Sequence, residues 1–144
     1  MKQRLAGRVI VLDPDERVLL FRYDDGPPNG PHWSTPGGGL NPGESYREGA
    51  QRELIEETGW TDVPVGQELH AREIIMDYAG TMVHQQERLF LARIAEAQRP
   101  VLDVAGMHAS DGIVAWHWWT LAELDTAQEA VWPEGLADLI RSLR

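Results

Sequence analysis

Leu5 to Leu12 and Val18 to Tyr23 are apolar runs of strand length, and Asp13-Pro14-Asp15-Glu16 between them has the composition of a turn. From Asp24 to Pro31 the chain is proline, glycine and asparagine rich, which predicts a loop. The irregularity continues from Trp33 to Gly43, through Pro36-Gly37-Gly38-Gly39 and then Asn41-Pro42-Gly43. The period then becomes helical. Tyr46, Ala50 and Leu54 recur at intervals of four and predict a buried stripe. Ser45 with Glu48 three residues later predicts a capping box, and Gly59 predicts the stop after Thr58. Two extended segments follow, Val65 to Tyr78 and Thr81 to Ile94, joined at Ala79-Gly80, and Ala95 to Gly112 has the composition of a loop. Ile113 to Trp119 predicts another strand, Leu121 to Leu124 a short helical turn, and Pro133 to Leu143 a last helix begun by Pro133. Strands dominate around one central and one terminal helix, so the predicted class is mixed α/β.

Composition narrows the picture. The 144 residues suit one domain with its own core, and no internal repeat, linker or low-complexity tract divides them. Without cysteine there is no disulfide, thiolate metal site or cysteine nucleophile. Met1 to Asp13 mixes Lys2, Arg4 and Arg8 among its apolar residues, unlike a secretory leader. No run approaches the roughly 18 apolar residues of a membrane span, so the expectation is a cytoplasmic protein without a membrane partner. A net charge of −10 opposes binding to long nucleic acid. Eight of the 23 acidic residues fall between Glu44 and Glu73, and their mutual repulsion is offset either by bound divalent cations or by solvation of an exposed helix face.

The chemistry concentrates between Gly37 and Trp60. At about 100° per residue, Glu53, Glu56 and Glu57 share roughly a third of the helix circumference. Three carboxylates on one face form a hard oxygen site suited to Mg²⁺ or Mn²⁺. Arg52 is placed to pair with Glu44 or to orient Glu53. Gly37, Gly38 and Gly39 let backbone approach the same place closely, offering carbonyls to metal or amides to phosphate. Trp33 and Tyr23 are candidates for stacking on a base, or for core and rim packing. Trp116 and Trp118 alternate with His117 and Trp119, so one pair faces inward and the other outward or into a cleft, with core packing as the preferred reading. His32, His70, His84, His108 and His117 lack metal-ligand spacing.

Gly38, Glu44, Arg52-Glu53-Leu54, Glu56-Glu57, Gly59 and Trp60 together resemble the box of the Nudix (MutT-like) hydrolases. That box reads Gly, five residues, Glu, seven residues, then Arg-Glu-apolar-any-Glu-Glu-any-Gly-apolar. The one departure is Trp60, where an aliphatic residue is usual, and altered packing is expected there. The resemblance implies an α/β/α sandwich, a mixed sheet between helices, and a Mg²⁺- or Mn²⁺-dependent attack of water on phosphorus that breaks a diphosphate bond. Carried over by position, it makes Glu53, Glu56, Glu57 and the Gly37 carbonyl metal ligands, Glu44 a structural partner outside the ligand set, and Arg52 an orienting residue. Catalysis then rests on Glu53, Arg52 and Glu57. The general base is either Glu53 or an acid from later in the chain, Glu87, Glu96, Asp103 or Asp111, of which Glu87 and Asp111 are also candidate ligands.

The substrate implied is a small nucleotide, either a nucleoside diphosphate linked to another group or a nucleoside triphosphate, with Gly38, Gly39, Trp33, Tyr23 and Tyr78 as binding residues. Relatives acting on diadenosine polyphosphates often carry a tyrosine near the place of Tyr78, whereas Ile75 and Met76 stand where ADP-ribose hydrolases often have proline. The alternative function is a nucleotide-sensing module that keeps the fold without cutting, and the intact glutamate trio argues against it. A monomer or homodimer is expected.

Overall fold

The computed structural model describes residues 1–24, 26–27, 30–97 and 112–143. Its strands are β1 (Lys2–Leu12), β2 (Val18–Tyr23), β3 (His32–Ser34), β4 (Gly37–Gly39), β5 (Glu68–Tyr78), β6 (Thr81–Arg93), β7 (Ile113–Trp119) and β8 (Ala130–Trp132), and its helices are α1 (Tyr46–Thr58), α2 (Leu121–Asp125) and α3 (Leu136–Arg141). One mixed sheet runs β5-β6-β1-β2-β3-β8, with β7 added to β2 and β4 added to β1. β1 pairs in parallel with β6 from Lys2 to Leu12. On its other edge β1 meets β4 through Ala6, Gly7 and Arg8, and β2 only where Leu12 faces Val18. The sheet is thereby split beside the glycine segment.

Both faces of the sheet are covered, which explains why its central strands read as unbroken apolar runs rather than as alternation. Val9, Val11, Leu19 and Phe21 point to the α1 side, where they pack with Ala50, Leu54, Phe90 and Trp118. Ile10, Leu12, Val18 and Leu20 point the other way and bury Leu136 and Ile140 of α3 with Leu89. The result is the expected α/β/α sandwich.

Helix α1 has the predicted boundaries for the predicted reasons. Ser45 and Glu48 form the reciprocal capping box, and Gly59 closes the helix in the left-handed conformation with its N–H on the Ile55 carbonyl at 2.8 Å. The helix sits on β1 at Gly7, where a Cβ would collide with the Tyr46 carbonyl and come within 2.8 Å of the Ala50 nitrogen. Trp60 is buried and stacks on Trp118, with ring centroids 6.2 Å apart and planes 17° from parallel. The larger side chain is thus accommodated by a second indole from β7.

Several boundaries differ from the sequence expectation. β3, β4 and β8 are three-residue strands, two of them inside the segment read as irregular and one in a stretch given no structure. They are too short for a periodic signal and are held by neighbours already in place. β5 starts at Glu68, because Val65 and Gly66 are held as connecting chain by Gln51, Arg47 and Leu91. The last helix begins at Leu136 rather than Pro133. Gly135, at φ 74°, turns the chain immediately before it, and Trp132–Pro133 is a cis peptide. Most of residues 95–112, read from the sequence as a loop, lie outside the described residues.

The contact at Gly7 yields a direct test of this packing. Gly7→Ala is expected to lower stability by about 1–3 kcal/mol by overpacking the α1–β1 seam, read as a lower urea midpoint with unchanged slope. An unchanged midpoint would mean that the helix does not sit this close.

Candidate functional site

The glycine segment and the second half of α1 meet face to face. The Gly37 N–H donates to Glu57 Oε1 at 2.8 Å, and Glu57 is only 3% exposed. A Cβ at Gly38 would lie 2.8 Å from Glu53 Oε1, so only glycine leaves the Glu53 carboxylate its place. The segment is itself pinned to β1, by the Val9 N–H on the Pro36 carbonyl and by Arg8 Nη1 on the Thr35 carbonyl, both at 2.9 Å.

Arg52 organises the carboxylates. Its Nε and Nη2 form a fork on Glu44, at 2.7 and 3.0 Å, while Nη2 also donates to the Gly39 carbonyl at 2.9 Å. Its Nη1 reaches Glu53 at 3.1 Å and Glu56 at 3.2 Å. One guanidinium therefore ties the loop before the helix to two acids on it. Hydrogen bonds from Arg52 and then from the Asn41 N–H lower the Glu44 carboxyl to about 2.

A cavity of about 1320 Å³ opens beside this cluster. One wall is Gly37, Gly38 and Gly39 with Glu53 and Glu57. The floor is Arg4 and Arg8 of β1, Arg72 of β5, and Gln85 and Glu87 of β6; the end of the β5–β6 hairpin carries Met76, Tyr78 and Met82 to one side, and Tyr23, His32, Trp132 and Glu134 close the other. The site residues expected from the sequence divide accordingly. Gly37, Gly38, Gly39, Glu53, Glu57, Tyr23, Tyr78 and Glu87 all line the cavity. Arg52 and Glu44 stand behind the wall as supports, and Glu56, with its side chain 45% exposed, is held by Arg52.

Trp33 is not brought to the cavity. Its indole N–H donates to Glu129 Oε1 at 2.9 Å and its ring packs edge-on to Trp119 at 5.1 Å, within the α3-side core. The alternation of its strand turns it there, away from Tyr23. Tyr23 has one ring face covered by His32, with centroids 5.4 Å apart. Burial, then the nearby Glu57 charge, raises its phenol, which stays neutral. Glu96 is exposed and away from the cavity, while Asp103, His108 and Asp111 lie outside the described residues. Trp116 and Trp118 take the α1-side core, and His117 and Trp119 take the other face beside Trp33.

Arg8, Arg72 and Gln85 are site residues that sequence reasoning missed. Glu87, 2% exposed, accepts from Arg8 Nε at 3.0 Å, from Arg72 Nη1 at 2.9 Å and from Gln85. Arg72 also reaches Glu134 at 3.1 Å and lies over the Trp132 ring at 5.0 Å. Arg72 and Glu87 face each other across β5 and β6, a relation fixed by strand register and carried by no local spacing. The available signal was a charge amid each apolar or alternating strand, and that alone does not name a partner.

The residues present fit a hard divalent cation in kind: two cavity-lining carboxylates, cavity-lining backbone at Gly37, and a cradle at Gly38 that a Cβ would fill. Among the described residues no three acidic or imidazole side chains are grouped so as to hold a metal ion by themselves.

The Glu87 network generates a pH prediction. Burial alone would raise the Glu87 carboxyl, but the charges of Arg8 and Arg72 and their hydrogen bonds overcome it and hold the group at about 2, against an ordinary 4.5. A lowered folded-state pKa means stability that is present above 4.5 and lost as pH falls through about 2. Glu87→Gln is expected to cost about 3 kcal/mol at neutral pH, with the gap to the unsubstituted protein narrowing in urea titrations across that window. A gap independent of pH would contradict the network.

The sequence pattern of the NUDIX domain matches residues 2–143. A Bacillus subtilis (strain 168) protein whose name marks it as a candidate 8-oxo-dGTP diphosphatase is 46% identical over 52 residues, 36% of this chain and 32% of that protein. An RNA pyrophosphohydrolase of Caulobacter vibrioides is 45% identical over 56 residues, 38% of this chain and 31% of that protein. The chain thus spans about a third of the length of these curated relatives. Among solved structures, the E. coli dihydroneopterin triphosphate pyrophosphohydrolase shares the fold with a TM-score of 0.72 at 16% identity, over 99% of this chain and 97% of that one. With Gly38, Glu53 and Glu57 of the box lining one cavity and the family pattern matching residues 2–143, the chain belongs to the NUDIX family.

Proposed function

We propose that this chain is a metal-dependent diphosphohydrolase that cleaves a diphosphate bond in a small nucleotide, either a nucleoside diphosphate linked to another group or a nucleoside triphosphate. The observation that carries the reading is the convergence of Glu53, Glu57 and the glycine segment on a cavity whose floor holds Arg4, Arg8 and Arg72. A cavity with carboxylates at one wall and guanidiniums across its floor suits a phosphate group brought in with a cation. The names of the relatives, both of which refer to diphosphate chemistry, support it.

Glu53, Glu57 and the Gly37 carbonyl would hold Mg²⁺ or Mn²⁺, with Glu56 as the third carboxylate of that helix face. When bound, such a cation supplies Lewis-acid polarisation of phosphoryl oxygens and lowers the pKa of water. The rest falls to the chain. Glu53 takes the proton of the attacking water while the water oxygen bonds to phosphorus and the bridging P–O bond breaks, the bridging oxygen leaving on the departing phosphate. Arg52 fixes Glu53, and Glu44 fixes Arg52. Glu87 is a poor base, since Arg8, Arg72 and Gln85 occupy its oxygens and the two arginines hold it at about 2. Its role is to set the two arginines in the floor. The acidic surface, at net −10, favours small nucleotides over long nucleic acid.

The test is hydrolysis of a panel holding nucleoside triphosphates, oxidised nucleoside triphosphates, a diadenosine polyphosphate, ADP-ribose and a nucleotide sugar, with Mg²⁺ and followed by chromatography. At least one compound is expected to turn over and to stop doing so with chelator. Glu53→Gln is expected to lower kcat by about 10²–10⁴. Silence across the panel would overturn the hydrolase reading, and a loss of only a few-fold in Glu53→Gln would move the base elsewhere.

A further inference from the structure

Among the described residues three guanidiniums line the cavity, and two are already matched. Arg8 pairs with Glu87, and Arg72 with Glu87 and Glu134. Arg4 is different. Among the described residues it pairs with no carboxylate, yet it is half-buried and held on several sides. Its Nη1 donates to Gln85 Oε1, and Gln85 is only 1% exposed, its amide turned to Glu87. Its Cζ lies 4.1 Å from the Tyr78 ring centroid. Its Nη2 would stand 3.1 Å from a Cβ on Gly39, so the glycine segment gives it room.

A cation withdrawn from water without a counter-ion is costly unless something completes it, and a guanidinium has five N–H donors in a planar fork. Gln85 and Tyr78 fix the orientation of that fork but neutralise none of its charge. Fixed in this way, the group is preorganised for an anion arriving from the cavity, with little side-chain entropy left to lose. Gly38 faces Glu53 and Gly39 faces Arg4, so the guanidinium lies one residue further along the segment than the carboxylates assigned to the reaction.

We propose that Arg4 binds a phosphate of the substrate other than the one attacked, which favours substrates with a phosphate chain over those whose diphosphate ends in a neutral sugar. The assignment to a substrate phosphate rests on the diphosphohydrolase reading above. Nucleoside triphosphates and dinucleoside polyphosphates both present this chemistry.

The test uses the whole protein with Mg²⁺ and inorganic tripolyphosphate as the probe, measured by calorimetry. Arg4→Met keeps the stem against Tyr78 and removes the fork, while Arg88→Met removes an equal charge outside the cavity. Arg4→Met is expected to weaken binding tenfold or more and Arg88→Met less than twofold, with both variants folded by circular dichroism. Equal losses in the two, no loss in Arg4→Met, or no binding by the unsubstituted protein would each overturn the proposal. Among hydrolysed substrates, the ratio of kcat/KM for a triphosphate to that for ADP-ribose is expected to fall about tenfold in Arg4→Met, through KM; an unchanged ratio would overturn the selectivity. Binding of tripolyphosphate that depends on Arg4, in a protein that hydrolyses nothing, would count against the hydrolase reading alone.

Discussion

Glutamates that would otherwise repel one another are brought against a backbone with no side chains of its own, and the rest of the site depends on that contact. Glu57 accepts the Gly37 N–H, Glu53 lies against Gly38, and Arg52 supplies the positive charge that lets Glu44, Glu53 and Glu56 stand close together. The contact requires α1 to lie deep on β1, which Gly7 allows, and β4 to stay at the β1 edge, which Arg8 and the Val9 N–H enforce. Burial of Leu54 and Ala50 holds the other side of the helix. Core packing and site geometry are therefore two faces of one thirteen-residue helix.

The cavity has a division of charge that follows from this arrangement. Acid sits on the helix wall and base on the sheet floor, and Glu87 ties two of the floor arginines into fixed positions. Charges this well buried keep their strength, because little water screens them. The arrangement suits an anionic ligand that is neutralised partly by a cation from the acidic side and partly by guanidiniums from the other.

Much of this was legible in the sequence wherever the signal was local. The capping box at Ser45 and Glu48, the stop at Gly59, the strands Val18 to Tyr23 and Ile113 to Trp119, and the acid-bearing face of α1 all follow from neighbours a few residues apart. The family box is local too. What could not be read was set by pairing across the sheet. Arg72 meets Glu87, and Arg8 meets both Glu87 and the Thr35 carbonyl, through registers that no spacing encodes. Trp33 illustrates the same limit from the other side, since it neighbours the glycine segment in sequence but its strand turns the indole to Glu129 and the opposite core. The start of α3 was misplaced because Gly135, rather than Pro133, sets it.

The proposed chemistry depends on the glutamates of α1 holding a divalent cation against the glycine segment. Its most direct test is titration of the protein with Mn²⁺, with free metal read by electron paramagnetic resonance, in the unsubstituted chain and in Glu57→Gln. Saturable binding is expected, displaced by Mg²⁺ and at least about tenfold weaker in the variant, because one of a few hard ligands is removed. Absence of binding, or binding of equal strength in both proteins, would contradict it.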